Sequence, residues 1–351
     1  MSRFFSSRYA ALEPYTPGEQ PRDMQYVKLN TNESPFPPSL KAQEKAAQTL
    51  ERLRLYSDPE CTELVRTIAK RYGIGTDEVL FSNGSDEILD FAFMAYCDGE
   101  HPAVFPDITY GFYPVFAEIN CIPSRQIPLK EDFSLDPEDY KEAGGTIFIA
   151  NPNAPTGIAL TKEQIRQILL DNPDNVVVID EAYVDFGAES CVPLIHSHEN
   201  LLVIQTFSKS RSLAGARLGF AVGNRELIRD LNTIKYSFNP YNVNSMTMAA
   251  GIGALEDEEY TVQNCRIIQK NREYTVNELK KLGFSMTDSL ANFIFVQHPD
   301  ISGEELYRKL KENGVLIRHF TKERISNYNR ITIGTREQMD ILLDRIRQIL
   351  G

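Results

Sequence analysis

The stretch Thr206 to Gly223, TFSKSRSLAGARLGFAVG, sets a hydroxyl, an amine and a guanidinium within a few steps of one another. Lys209 follows the apolar run LLVIQ. An amine desolvated at a strand end near other cations loses proton affinity and becomes a nucleophile toward carbonyls. Ser208 and Arg217 flank it, and a hydroxyl with a planar cation is a natural grip for a phosphate. Gly215 and Gly219 let backbone approach closely. A second stretch, VVVIDEAY, ends an apolar run with Asp180 and Glu181 and places Tyr183 three residues after the aspartate. A buried carboxylate needs a partner or it neutralises, and a protonated ring nitrogen would serve. In SNGSDE, the Asn83-Gly84 turn leads into a helix start, whose free N–H groups and dipole favour an anion. In NPNAPTG, two prolines and a glycine force an irregular loop in which Asn153 offers a donor. Taken singly, each has an ordinary reading: a surface lysine, a helix-capping aspartate, a plain capped helix, a loop.

These residues need elements that bring them together. TIFIA, NVVVID and NLLVIQTF are apolar runs of strand length bounded by polar residues, as expected of strands buried on both faces. EVLFS and PAVFP read as further strands. Helical patterns lie between them, in SDEILDFAFMAYC, around Gly111 to Glu118, and in TKEQIRQILL behind a Thr161 cap. The alternation predicts an α/β fold with a mostly parallel sheet covered by helices on both faces. Such sheets place ligands beyond the carboxyl ends of their strands, where NPNAPTG, DEAY and FSKS all fall. After about Met246 the texture changes. A helical stretch from roughly Thr247 to Leu282, then FSMTDSLANFIFVQH, SGEELYRKLKENG, VLIRHF, NRITIGT and a terminal helix predict a smaller α+β unit. The opening residues, ending in NTNESPFPPS, read as an extended arm. The expected division is an arm over 1–40 that contributes to the small domain, a large domain over 41–255, and a small C-terminal domain over 256–351.

Composition narrows the partners. The 351 residues carry a net charge of −12, which gives no general attraction for nucleic acid. Cys61, Cys97, Cys121, Cys191 and Cys265 are widely spread, with no C-x-x-C pair and no His at ligand spacing, so neither a disulfide framework nor a metal site is expected. No run approaches the roughly 18 consecutive apolar residues of a membrane span. The opening lacks the apolar core of a signal peptide, so a cytoplasmic setting without a membrane partner is expected. No G-x-G-x-x-G follows an early strand, which argues against a nucleotide-dependent dehydrogenase.

In order, NPNAPTG, DEAY, SKS and AGARLG resemble the fold-type I, class I/II aminotransferases that use pyridoxal 5'-phosphate (PLP). Within that family, KLNTNESPFPPS, RLYSDPE, SNGSDEILDFAFMAYCDGE, TFSKSRSLAGARLGFAVG and NRITIGT resemble the histidinol-phosphate aminotransferases, from about residue 26 to the C-terminus. The resemblance implies a large PLP domain, a smaller segmented one, and a homodimer with active sites at the subunit boundary. It implies amino transfer from L-histidinol phosphate to 2-oxoglutarate, giving imidazole acetol phosphate and glutamate, in histidine biosynthesis. Lys209 would bind the cofactor covalently and then shuttle the proton. Asp180 would pair with the pyridine nitrogen, and Tyr183 would hydrogen-bond the ring's phenolic oxygen. Gly84, Ser85, Ser208 and Arg217 would hold the phosphate, Tyr110 would stack on the ring, and Tyr56 would reach the neighbouring subunit's cofactor phosphate. Arg330 would bind the anionic end of the substrate, with Arg318 a candidate second cation. One position departs: many relatives carry Asn immediately before PTG, pointing at the ring oxygen, whereas this chain has Ala154, which leaves Asn153 as the candidate. An aromatic amino-acid aminotransferase and a phosphothreonine-type decarboxylase on the same scaffold are the alternatives. A non-catalytic regulator of this fold is disfavoured, because the chain has no spare basic domain and keeps its lysine.

Overall fold

The computed structural model describes residues 2–10 and 12–351. Its main sheet has seven strands: β1 (Val79–Ser82), β2 (Ala103–Pro106), β3 (Ser124–Ile127), β4 (Thr146–Ala150), β5 (Val177–Asp180), β6 (Leu201–Thr206) and β7 (Gly219–Gly223). Their spatial order is β1-β7-β6-β5-β4-β2-β3. Only β7 runs against the rest, pairing antiparallel with β1 and β6. The pairs β6–β5, β5–β4, β4–β2 and β2–β3 are all parallel. The expected mostly parallel α/β sheet is present.

The period-2 alternation of side chains explains why the central runs are apolar throughout. Ile147, Ile149, Val177, Ile179 and Val203 enter one core with residues of the helices Thr62–Tyr72 and Lys162–Leu170. Their neighbours Phe148, Val178, Leu202 and Ile204 enter a second core with the helices Ser85–Tyr96, Phe112–Ile119 and Arg225–Phe238. Helices therefore cover both faces. The Lys162 helix starts as its sequence suggests, with a reciprocal capping box between Thr161 and Gln164.

The single long helix expected near 247–282 is two, Ser245–Glu256 and Glu258–Lys281, broken at Asp257. The first is packed against the helix Leu40–Ala47. A Cβ on Gly253 would stand 2.5 Å from the Lys41 carbonyl oxygen, so glycine is what admits that contact. Beyond it, an antiparallel sheet runs in the order Arg318–His319, Asn329–Thr332, Phe293–Gln297, Ser285–Met286. The helices Gly303–Glu312 and Arg336–Leu350 supply Leu306, Leu310, Leu342 and Leu343 to a core shared with Phe293 and Ile331. The opening segment joins this end of the molecule: Val27–Lys28 pairs in parallel with Val315–Leu316, and Thr332 donates its N–H to the Leu29 carbonyl at 2.9 Å.

Candidate active site

Strands β4, β5 and β6 are adjacent and parallel, so their carboxyl ends open on one edge of the sheet. NPNAPTG, Asp180-Glu181 and Phe207-Ser208-Lys209 all leave from that edge. A cavity of about 110 Å³ lies there, and Ser85, Tyr110, Asp180, Tyr183, Ser208, Lys209 and Arg217 are among its lining residues. Seven residues singled out in the sequence thus meet in one place.

The antiparallel β7 accounts for the spacing of Lys209 and Arg217. The chain leaves β6 at Thr206 and re-enters the sheet at Gly219, and these two residues are register partners. The linking loop carries both cations to the same mouth. Gly219 cannot be larger, since a Cβ there would meet the Ser85 nitrogen at 2.5 Å. The Ser85–Tyr96 helix therefore begins directly against β7. Its cap is Gly84 at φ 87°, which has no side chain to satisfy the first-turn N–H groups. A Cβ on Gly84 would lie 2.6 Å from Arg217 Nη2, so glycine leaves room for the guanidinium. Arg217 itself is left-handed at φ 56°, a conformation that costs a non-glycine residue roughly 1 kcal/mol or more. Its Nη2 pairs with Asp86 Oδ2 at 2.9 Å. Tyr110 donates to the other oxygen of Asp86 at 2.7 Å. On the loop, the Thr206 hydroxyl donates to Ser208 Oγ at 2.9 Å and accepts from the Ser208 N–H at 3.1 Å.

Asp180 sits deeper. Its Oδ1 accepts from the Ala182 N–H at 3.1 Å and its Oδ2 from the Tyr113 hydroxyl at 3.4 Å. Burial, then the nearby Asp86 charge, push its carboxyl up to about 7. Glu181 beside it is also pushed to about 7 by burial, although Gln205, Ser190 and the Cys191 N–H all bond to it. Tyr183 packs edge-on against Phe293 at 5.0 Å, so a residue from the end of β5 touches the smaller sheet. Lys209 Nζ donates to the Thr31 carbonyl at 3.2 Å and lies 5.9 Å from the centre of the Tyr183 ring.

A second cavity of about 380 Å³ shares Tyr110, Ala154, Tyr183 and Lys209 with the first and reaches out to Tyr15, Arg318 and Arg330. Both arginines bond to backbone carbonyls rather than to a carboxylate. Arg330 Nη2 reaches the Asn30 oxygen at 3.2 Å, and Arg318 reaches those of Thr16 and Pro17, also at 3.2 Å. Arg330 Nε is buried with no partner among the described residues, and burial lowers the proton affinity of this guanidinium.

Asn153 departs from expectation, and Tyr56, assigned to the partner's cofactor, also lies outside the two cavities. Asn153 is not on either cavity wall described above. Its Nδ2 bonds to the Ile108 carbonyl and Thr156 Oγ1, and its Oδ1 accepts from Thr109, so the amide braces its own loop. Ala154 faces both cavities in its place. Tyr56 is 83% exposed and stacks on Tyr241 at 4.5 Å, outside the cavity of its own chain. Three residues were missed: Asp86, read only as part of a helix cap; Tyr113, hidden in an aromatic-rich helix; and Asn32, which donates to Tyr183 Oη at 3.0 Å from the opening segment.

The cavity suits PLP. Asp180 is a buried acid that a protonated ring nitrogen would complement. On the wall of the same cavity an uncapped helix start, a serine hydroxyl and an arginine are found, the donors a phosphate requires. No group of three or more His, Cys, Asp or Glu side chains among the described residues is placed to hold a metal ion. No helix among them is long and apolar enough to cross a membrane.

Residues 24–346 match the family model for aminotransferase class I and II. The chain belongs to this family. It is 49% identical over 352 residues to histidinol-phosphate aminotransferase from Brachyspira hyodysenteriae, with 100% of this chain and 99% of that protein covered. Its fold is similar to that of histidinol-phosphate aminotransferase from Clostridium acetobutylicum, with TM-score 0.85, 23% identity, and 92% and 98% of the two chains covered. It is also similar to the enzyme from Sinorhizobium meliloti in complex with pyridoxal-5'-phosphate, with TM-score 0.83, 21% identity, and 92% and 90% covered.

Proposed function

We propose that the protein is a PLP-dependent aminotransferase that moves the amino group of L-histidinol phosphate to 2-oxoglutarate, yielding imidazole acetol phosphate and glutamate in histidine biosynthesis. The observation that carries this reading is the 49% identity, over the full chain, to a histidinol-phosphate aminotransferase.

Bound PLP supplies an aldehyde that takes up the amino group and a protonated ring that draws electrons from the substrate's α-carbon. Lys209 would hold the cofactor through its amine and, once freed, would take the proton from the substrate's α-carbon and deliver it to the carbon that carried the cofactor's aldehyde. Asp180 stabilises the positive charge on the ring nitrogen. Tyr110 would cover the ring, and Tyr183 would donate to its phenolic oxygen. Ser85, Ser208 and Arg217, whose guanidinium fits beside Gly84, would hold the phosphate. Arg330, with an unpartnered Nε, binds the anionic end of either substrate, and Arg318 adds a second cation at the outer wall. One cationic wall can thus serve both a phosphate ester and a dicarboxylate.

The working form in this proposal is a homodimer in which Tyr56 of the partner subunit completes the phosphate site. Exposed Leu50, Leu53, Leu55, Tyr56, Phe238 and Tyr241 support it, being an apolar surface that a second copy would cover. The division into arm 1–40, large domain 41–255 and small domain 256–351 belongs to the same proposal. The separate apolar cores of the two sheets support it. The deciding experiment compares turnover of histidinol phosphate, phenylalanine and phosphothreonine with 2-oxoglutarate as acceptor. Histidinol phosphate should be the best substrate by a wide margin. A preference for phenylalanine, or decarboxylation of phosphothreonine, would overturn the assignment.

A further inference from the structure

We propose that Asn32 is a positioning residue that aims the Tyr183 hydroxyl proton, so that an amide in the opening arm governs the hydrogen bond given to the cofactor's phenolic oxygen. The inference rests on the PLP reading above and deepens it. Asn32 is 1% exposed and left-handed at φ 55°, a conformation asparagine tolerates better than most residues. Each of its polar atoms is engaged. Its N–H donates to Thr332 Oγ1 at 3.0 Å, and Thr332 Oγ1 donates in turn to Asn32 Oδ1 at 3.1 Å. Its carbonyl accepts from Asn292 Nδ2 at 3.0 Å, and its own Nδ2 donates to Tyr183 Oη at 3.0 Å.

The amide is oriented with its NH₂ end toward the tyrosine. Thr332 has one hydroxyl proton, and with that proton on Oδ1 the NH₂ end of Asn32 must point at Tyr183. Tyr183 Oη therefore accepts from the arm, and its single proton is left to point into the cavities it lines. Accepting one hydrogen bond also polarises a hydroxyl into a better donor. In the loop after β4, Ala154 presents a methyl group to the same cavity and Asn153 is committed to Thr109, Ile108 and Thr156. Neither supplies an amide donor to that cavity. The donor contact at the ring oxygen then depends on how Tyr183 is held, and Asn32 holds it.

A donor at the phenolic oxygen withdraws electron density from the lysine-bound nitrogen conjugated with it. Loss of that donor raises the pH at which the nitrogen gives up its proton. The readout is the visible absorption of the holoenzyme, without substrate, as a function of pH. Tyr183→Phe should raise the midpoint by about one unit. Asn32→Asp keeps the size, the left-handed backbone and both Thr332 contacts, but puts an acceptor where the NH₂ stood. The tyrosine proton then turns toward residue 32, and the midpoint should rise by a comparable amount. Because the new carboxylate also acts through its charge, the same change is made in a Tyr183→Phe background. A hydrogen-bond effect is lost there, whereas a charge effect persists. Asn32→Gly, uncharged and at ease with positive φ, should give a smaller rise. Ala154→Asn added to Asn32→Asp should lower the midpoint again by restoring a donor. The inference is overturned if both Asn32 variants leave the midpoint unmoved while Tyr183→Phe raises it, or if the Asn32→Asp shift survives intact without the tyrosine hydroxyl. A Tyr183→Phe enzyme with an unmoved midpoint, or a protein that forms no visible band with PLP, would bring down the cofactor placement itself and this inference with it.

Discussion

Lys209 Nζ donates to the Thr31 carbonyl oxygen at 3.2 Å, tying the end of β6 to a residue 178 positions earlier. The reactive amine thus rests against the backbone immediately before Asn32, and the arm supplies partners to both Lys209 and Tyr183.

Replacing Lys209 with Ala removes the covalent anchor and the proton carrier together. Turnover of histidinol phosphate should fall by on the order of 10³-fold or more. The visible band of the lysine-bound cofactor should be absent from the spectrum. A variant that kept both would refute the assignment of the lysine.

Arg217 pairs with Asp86 at 2.9 Å beside an uncapped helix start. Arg217→Ala removes a charge-assisted grip on the phosphate, so PLP affinity should weaken roughly 10- to 100-fold. Titration of the cofactor into stripped protein measures this directly. At saturating PLP the turnover number should change much less than the affinity, which separates holding from chemistry.

Arg330→Lys keeps the charge and loses the planar fork. The fall in kcat/KM for histidinol phosphate should be about 10²-fold, since the buried Nε of Arg330 is the donor held without a partner. Arg318→Ala should act mainly through KM and by a smaller factor, because Arg318 also braces the Thr16 and Pro17 carbonyls at the outer wall. Steady-state kinetics with both substrates test the pair.

Asp180 and Glu181, each pushed to about 7 by burial, predict an unusual pH dependence for the cofactor-free protein. Ordinary carboxyls titrate near 4, so between about pH 4 and 7 the folded chain binds more protons than the unfolded one. Unfolding free energy then falls as pH rises through that window. The cofactor-free protein should melt at a higher temperature at pH 5 than at pH 8. Asp180→Asn should narrow that gap by raising the melting temperature at pH 8 while changing it little at pH 5. Adding PLP should narrow it too, because the ring nitrogen's charge offsets that of Asp180.

Much of the site was legible because it hangs on strand ends. Asp180, Ser208 and Lys209 each follow an apolar run whose burial dictates where the chain must emerge, and those runs lie side by side. Arg217 was legible as a cation beside Lys209, but the antiparallel return that brings it back was not, because apolar runs do not reveal strand direction. Asn153 was misplaced by one residue of loop geometry: its amide turns back on Thr109 and Thr156, a choice made by contacts distant in sequence. Asn32 and Tyr113 were invisible for the same reason, since their value comes from Tyr183 and Asp180, 151 and 67 positions away. The break at Asp257 escaped notice because polar residues fit a helical pattern on either side of it.

The pairing of Thr206 with Gly219 makes the span between them a ruler. A residue inserted or deleted there would change how the loop delivers Lys209 and Arg217 to the cavity, while the buried pattern of the two flanking strands holds their register. Chimeras and variant libraries built on this chain must therefore keep Ser208, Lys209 and Arg217 in place within residues 207–218 and preserve the length between them.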